Sequence, residues 1–438
     1  MSVTRRIALA LFIGTFVIYL FPLMYNLLRK PFFTIGPGID IVATSFLPAA
    51  ILENGDFALD QFQDYFRQAY PDPFFVARVN GRLVSRYPVS TALIAMPFYG
   101  LPLGTGWLHN TGRDWLTYPR SLFAPAKFAA AFLTALTVVM IFFCARELAD
   151  ARTSAMIAIV FAFGTSVWST ASQALWQQTA SILFQALGIW FILRGKRLGA
   201  NAVAPGAFFF SLATIARMND AFAAALFTLY VFFQYRAALW KWIAWAIPPV
   251  LFVLGYNTVY NGSPLVFGYQ EGFLNLMSLP RLDGILGLFI SPSRGLLIYS
   301  PFLLLSAVGL WRARTESNRL FYFCCAGIFA LNAVLLSTFQ NWDGGWGYGT
   351  RLLVDGLPYA VLLLTPILPR LHGWQTIAFW GSLVYAAIVQ SFGLWDYGEH
   401  WHWHWDNWQY DVWNIAENEP LFYLKQYLEM LMHLIGRG

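Results

Sequence analysis

Charge is scarce in this chain. Only 11% of its 438 residues are Asp, Glu, Lys or Arg, against about 25% in a typical soluble domain. A water-facing globule of this length is excluded by that deficit. The longest basic stretch is Arg194-Gly195-Lys196-Arg197. The net charge of +6 is therefore spread thin, and no nucleic-acid partner is expected. Cysteine is scarce too. Cys144, Cys324 and Cys325 all fall in apolar runs, with no Cys-x-x-Cys and no Cys/His ligand spacing. Neither a disulfide framework nor a zinc site is indicated. A Gly-rich phosphate loop of the P-loop pattern is also missing, as are low-complexity linkers, fixed-period repeats and an inverted pair of broken spans.

Apolar residues are what the chain has in quantity. They make up 58% of it, the mean hydropathy is +0.53, and many runs reach span length. The expected fold class is all-α, a polytopic membrane helical bundle forming one integral domain over residues 1–438. Aromatics reach 18%, with 19 Trp and 21 Tyr, a composition suited to interfacial belts and stacking surfaces. The basic segment 1–6 followed by 7–28 reads as an uncleaved first span with a cytoplasmic N-terminus. Further spans are expected at 121–144, 153–169, 175–194, 204–216, 221–235, 242–259, 296–311, 320–338, 352–369 and 374–394. That gives about eleven spans. Arg and Lys between them place residues 29–118 outside as one large loop, and 395–438 outside as a C-terminal tail. Parity then keeps 88–105 from crossing. With Pro88, Pro97 and Pro102 it reads as an interfacial or re-entrant segment.

Within the outer loop, Gly36-Pro37-Gly38 is a turn signal. Asp40 comes soon after it and precedes an apolar helical run over 41–52. A helix N-terminus keeps a carboxylate ionised, which suits a general base. The same position also suits a helix N-cap. Other polar groups that hydropathy does not explain gather on the outer side. They are Asp56, Arg86-Tyr87, Trp176-Gln177-Gln178, Tyr269-Gln270-Glu271, 291–295 with Arg294, and Asn341 to Arg351. The last stretch, NWDGGWGYGTR, offers glycines for close backbone approach, aromatic faces for a sugar or lipid, and Arg351 for bidentate phosphate contact. Interfacial snorkelling is the alternative for Arg294 and Arg351, and an ordinary aromatic belt for Trp346 and Tyr348. Arg217 and Asp220, three apart, read as a structural ion pair. His400, His402 and His404 alternate with Trp. This is a metal pattern in an extended chain or, more simply, a tail with its Trp residues in the interface.

Taken together, these residues resemble the GT-C class of integral-membrane glycosyltransferases, which includes protein O-mannosyltransferases and lipid A aminoarabinose transferases. The resemblance covers most of the chain. It rests on the outer-loop Asp40 soon after span 1, on Arg86-Tyr87-Pro88 with Ala126-Lys127-Phe128 leading into span 2, and on Ala213-Thr214 with Arg217. It rests also on Trp342, Gly344-Gly345 and Tyr348-Gly349-Thr350-Arg351-Leu352-Leu353, similar to a signature of uncharacterised bacterial members. Here Asp343 separates Trp342 from the glycines, Thr350 stands where Pro is commoner, and Gln178 where His is expected.

The resemblance implies inverting transfer of a sugar from a polyprenyl-phosphate donor to an acceptor hydroxyl at the outer face. Asp40 would be the catalytic base. Asp56, Arg86, Tyr87, Gln178, Arg294, Trp346, Tyr348 and Arg351 would bind substrate. Partners would be the lipid-linked donor, a glycan, lipid or protein acceptor, and membrane lipids. No cofactor is expected, with a divalent metal left open. The implied location is a bacterial inner membrane, N-terminus inside and C-terminus outside. The competing classes are a lipid or solute transporter, which would place its polar groups at mid-depth, and a non-catalytic scaffold.

Overall fold

A computed structural model describes residues 3–29, 38–70, 72–108, 120–268, 277–394, 400–405, 409–434 and 436. Among them the chain is mostly helical. Among the described residues, four helices combine the length and the hydropathy needed to cross a bilayer: Val3–Met24, Phe123–Arg146, Arg236–Tyr260 and Arg319–Leu336.

Several runs that read as continuous spans are broken, each for a local reason. The run over 153–169 begins where Asp150 accepts the N–H groups of Arg152 (2.8 Å) and Thr153 (3.1 Å), an N-cap. It stops as an α-helix at Phe163 and resumes as the π-helical turn Val167–Ala171. The run over 296–311 breaks after Leu296–Tyr299, because Pro301 cannot supply the N–H that an uninterrupted helix requires there. The run over 352–369 opens as the 3-10 segment Arg351–Gly356 and continues only as the short helix Leu357–Leu362. At the centre lies Gln177–Leu198, which is buried along most of its length and packs against Phe123–Arg146 and Gly206–Ala216.

The segment after the first helix builds a core of its own. Helix Val42–Asn54 packs on Ser90–Gly104, and Phe46, Phe62, Phe66 and Phe75 are fully or almost fully buried between them and the chain in between. Burial of each such ring contributes about 1.5–3 kcal/mol. Ser90–Gly104 has 15 residues, a length of about 22 Å that is short of a bilayer core of about 30 Å. An all-α reading misses one feature here. Val76–Val79 and Arg82–Ser85 form an antiparallel hairpin, with Val76 opposite Ser85. Its two-residue turn is Asn80-Gly81, both at positive φ. Asn-Gly between apolar residues is a strong short-range hairpin signal, and the pair was there to be read.

A third, smaller core joins Tyr299, Tyr348 and Val389 to Trp401 and Tyr423 of the tail. The tail is therefore docked. His400–Trp403 is a short helix, not the extended strand that alternation of His and Trp suggests. Trp401 and His402 are both fully buried, whereas Trp403 is exposed.

Candidate functional site

The site is assembled from segments far apart in sequence. Gly38 has φ 105°, and a Cβ there would stand 3.2 Å from the Trp176 ring. Only glycine tolerates both. The chain then makes the 3-10 turn Ile39–Ile41, which carries Asp40. Asp40 is not a cap: the N-cap of helix Val42–Asn54 is Ile41, with no side-chain capping bond. Instead, Asp40 Oδ1 accepts from the Tyr87 hydroxyl at 2.7 Å and Asp40 Oδ2 from Arg351 Nη1 at 2.9 Å. Tyr87 is aimed by the turn after the hairpin, where Ser85 Oγ takes the Tyr87 N–H and donates to the Tyr87 carbonyl, both at 3.0 Å.

Arg351 is held on three sides. Its Nε donates to the Gly344 carbonyl at 2.6 Å, its Nη1 to Asp40, and its guanidinium carbon lies 4.7 Å from the centre of the Trp176 ring. Gln178 Nε2 donates to the Arg351 carbonyl at 3.4 Å. Trp176 itself is fixed by its neighbours. The buried Lys127 donates to the Ser172 carbonyl and the Gln173 side chain, bracing the turn before it. The ion pair is partly open, with the Asp40 side chain 25% exposed and that of Arg351 15% exposed. Neither arginine offered for snorkelling does so: Arg351 is paired in the cavity wall and Arg294 is buried.

These groups line a cavity of about 700 Å³. Arg86, Tyr87, Gln178, Trp346 and Arg351 share its wall with Asp40, and so does Trp403 from the tail. Ile215, Val253, Leu335, Leu336 and Leu352 form an apolar wall. A cavity with convergent polar groups at one side and an apolar wall at the other suits an amphipathic ligand. Arg86 is exposed, and none of its side-chain atoms makes a hydrogen bond among the described residues.

Three expected binding residues lie outside that wall. Asp56 joins the segment after the first helix to the apolar helix that ends at Tyr260: it accepts from the Tyr260 hydroxyl (2.8 Å), the Ala58 N–H (3.2 Å) and Arg82 (3.3 Å). Burial works to raise its carboxyl, but those donors together hold it below the usual carboxylate range. Tyr348 is buried with its hydroxyl on the Val389 carbonyl at 2.6 Å. Arg294 is buried as well, paired with Glu419 and stacked over Trp401. Its Nη2 donates to the Gly345 carbonyl at 3.1 Å. The Gly344-Gly345 turn is thus gripped by Arg351 from the cavity and by Arg294 from behind. Arg294 lies behind that turn and outside the cavity wall.

The expected Arg217–Asp220 pair is part of a wider network. Arg217 Nε donates to Asp355 at 2.9 Å. Asp220 accepts from Ser181 (2.6 Å) and Gln185 (3.0 Å), and Ser181 also contacts Asp355 at 2.9 Å. Asp355 and Glu419 escaped the sequence reading. A carboxylate inside an apolar run, as in Val354-Asp355-Gly356, was the available signal; Glu419, in a polar tail, gave none. His402 stacks on Trp346 with ring centres 5.2 Å apart and its Nε2 lies 3.0 Å from Arg294 Nη2. Burial and the Arg294 charge push its imidazole down to about 3. Among the described residues no group of three or more His, Cys, Asp or Glu has metal-binding geometry. No family model and no curated protein matches the chain.

Proposed function

We propose that this chain is an integral-membrane glycosyltransferase of GT-C type. It moves a sugar from a polyprenyl-phosphate donor to an acceptor hydroxyl on a glycan, lipid or protein at the outer membrane face, inverting the anomeric centre. The observation that carries this is the meeting of Asp40 and Arg351, 311 residues apart, in the wall of one cavity with an apolar side. A transferase of this kind needs a base for the acceptor and a cation for the leaving phosphate, close together beside a place for a lipid. Asp40 supplies the base, Arg351 the cation, and the Val253, Leu335 and Leu336 wall the apolar surface. Trp346 and Trp403 offer ring faces to a sugar.

The reading includes a topology of about eleven spans, some of them built from broken helices, in a bacterial inner membrane. The N-terminus is cytoplasmic, and the 29–118 region and the tail lie outside. A cysteine at Gly438 is then labelled from outside by an impermeant thiol reagent and one at Ser2 is not. The activity is tested by incubating the purified chain in nanodiscs with a panel of polyprenyl-phosphate sugars and candidate acceptors, and measuring released polyprenyl phosphate. Turnover lost in both Asp40→Asn and Arg351→Ala supports the reading. Equal turnover in wild type and both variants overturns the assignment of this cavity. Transport is the second reading, carried by the Arg217, Asp220 and Asp355 network beside the cavity. Uptake of a lipid or solute by sealed proteoliposomes, abolished by Asp355→Asn, would favour it.

A further inference from the structure

The base and the anion site of the proposed reaction are occupied by each other. Asp40 Oδ2 takes Arg351 Nη1 at 2.9 Å, and Asp40 Oδ1 takes the Tyr87 hydroxyl at 2.7 Å. Each Asp40 oxygen already accepts a hydrogen bond, so neither is open to the hydroxyl of an acceptor in this arrangement. The guanidinium in turn is already neutralised. Besides Asp40, Arg351 has two anchors of its own, the Gly344 carbonyl and the Trp176 face. Its plane therefore stays presented to the cavity. Its Nη1 and Nη2 form the edge that a phosphate grips bidentately.

We infer that the Asp40–Arg351 pair is a substrate-operated latch: the phosphate of the lipid donor takes Arg351 away from Asp40, and only then is Asp40 free to accept a proton. This rests on the proposed function. It makes binding ordered, donor before acceptor, and keeps the base masked in the empty enzyme.

The reaction then moves charge in a way that resets the latch. The acceptor O–H gives its proton to Asp40, and its oxygen bonds the anomeric carbon. The bond from that carbon to the phosphate oxygen breaks, and the electron pair leaves with the polyprenyl phosphate. Asp40 ends neutral, and the leaving phosphate gains one negative charge. At that moment Arg351 has a stronger anion on one side and no anion on the other, so it holds the product. Release follows when Asp40 loses its proton to water and competes again for Arg351.

Asp40→Asn mimics the neutral state, since Asn keeps the shape and the Tyr87 contact without the charge. The test measures binding of a short-chain polyprenyl monophosphate to the purified full-length chain in neutral phosphatidylcholine nanodiscs. A parallel arm uses inorganic phosphate, which separates headgroup recognition from lipid recognition. Asp40→Asn and Asp40→Ala are each expected to bind the lipid phosphate about tenfold more tightly than wild type, and Arg351→Ala more weakly. Inorganic phosphate should show the same ranking at lower affinity. Equal or weaker binding by both Asp40 variants, with Arg351→Ala still impaired, overturns the latch and leaves the proposed function standing. Failure of wild type and every variant to bind either phosphate overturns the latch and the proposed function together.

Discussion

Glu419→Gln probes the joint that holds the tail against the cavity wall, and its cost follows from the contacts. Glu419 Oε2 accepts from Arg294 Nη1, from the Tyr299 hydroxyl at 2.9 Å and from the Gly349 N–H at 3.0 Å. The two side chains of the pair are 1% and 0% exposed. Burial raises the Glu419 carboxyl, and Arg294, Gly349 and Tyr299 oppose that rise. Gln keeps one oxygen for the neutral donors but removes the negative charge that faces the buried Arg294. Breaking one side of such a pair costs about 3–5 kcal/mol, and the retained hydrogen bonds argue for the lower end. At about 3 kcal/mol the population of undocked tail rises roughly 150-fold. Limited proteolysis of purified protein in nanodiscs reads that population through cleavage in the tail. Because the Gly349 N–H and the Gly345 carbonyl are anchored here, the Arg351 site should loosen with it. The double variant Arg294→Met with Glu419→Leu removes both charges and should recover most of the protection. Cleavage of Glu419→Gln at the wild-type rate would refute the claim that this pair docks the tail.

Asp40→Asn keeps the Tyr87 contact and gives up only a partly exposed ion pair, so it is expected to lower stability by no more than about 1 kcal/mol, while sugar transfer slows at least about a hundredfold; turnover and melting curves on one preparation check both halves. His402 stays neutral in the folded protein down to about 3, against its ordinary 6.5. The unfolded chain therefore binds more protons in that interval, and stability falls as pH drops below about 6.5, by at most about 1.4 kcal/mol per pH unit. Thermal midpoints measured from pH 7 to 5 should decline in wild type and flatten in His402→Gln. Gly287→Ala places a Cβ about 2.0 Å from the Trp342 ring, so the ring must move. Overpacking of this kind costs about 1–3 kcal/mol, and a Gly287→Ala protein with an unchanged melting curve would contradict the packing described.

Composition and periodicity were enough to point to a mostly helical chain with apolar helices of bilayer length, because scarcity of charge and long apolar runs are properties of the chain taken residue by residue. Local signals placed Asp40 at a turn-to-helix junction and marked Arg351 within a glycine-rich, aromatic stretch. They also held Asn80-Gly81, a hairpin turn that a uniformly helical reading passes over. What no local signal carries is which distant groups meet. Asp40 and Arg351 become a pair only when the 38–41 turn and the 344–351 turn are brought over one tryptophan. Arg294 and Arg351 look alike in sequence, each an arginine near glycine and serine or threonine at the end of an apolar run. Tertiary packing sends one into the buried core with Glu419 and the other into the cavity wall. The same holds for Asp220, which sequence spacing pairs with Arg217 and the fold gives also to Ser181 and Gln185. The reason is physical: spacing fixes neighbours along one helix, whereas the partner of a buried charge is set by which elements pack against it and by the cost of leaving that charge unmatched.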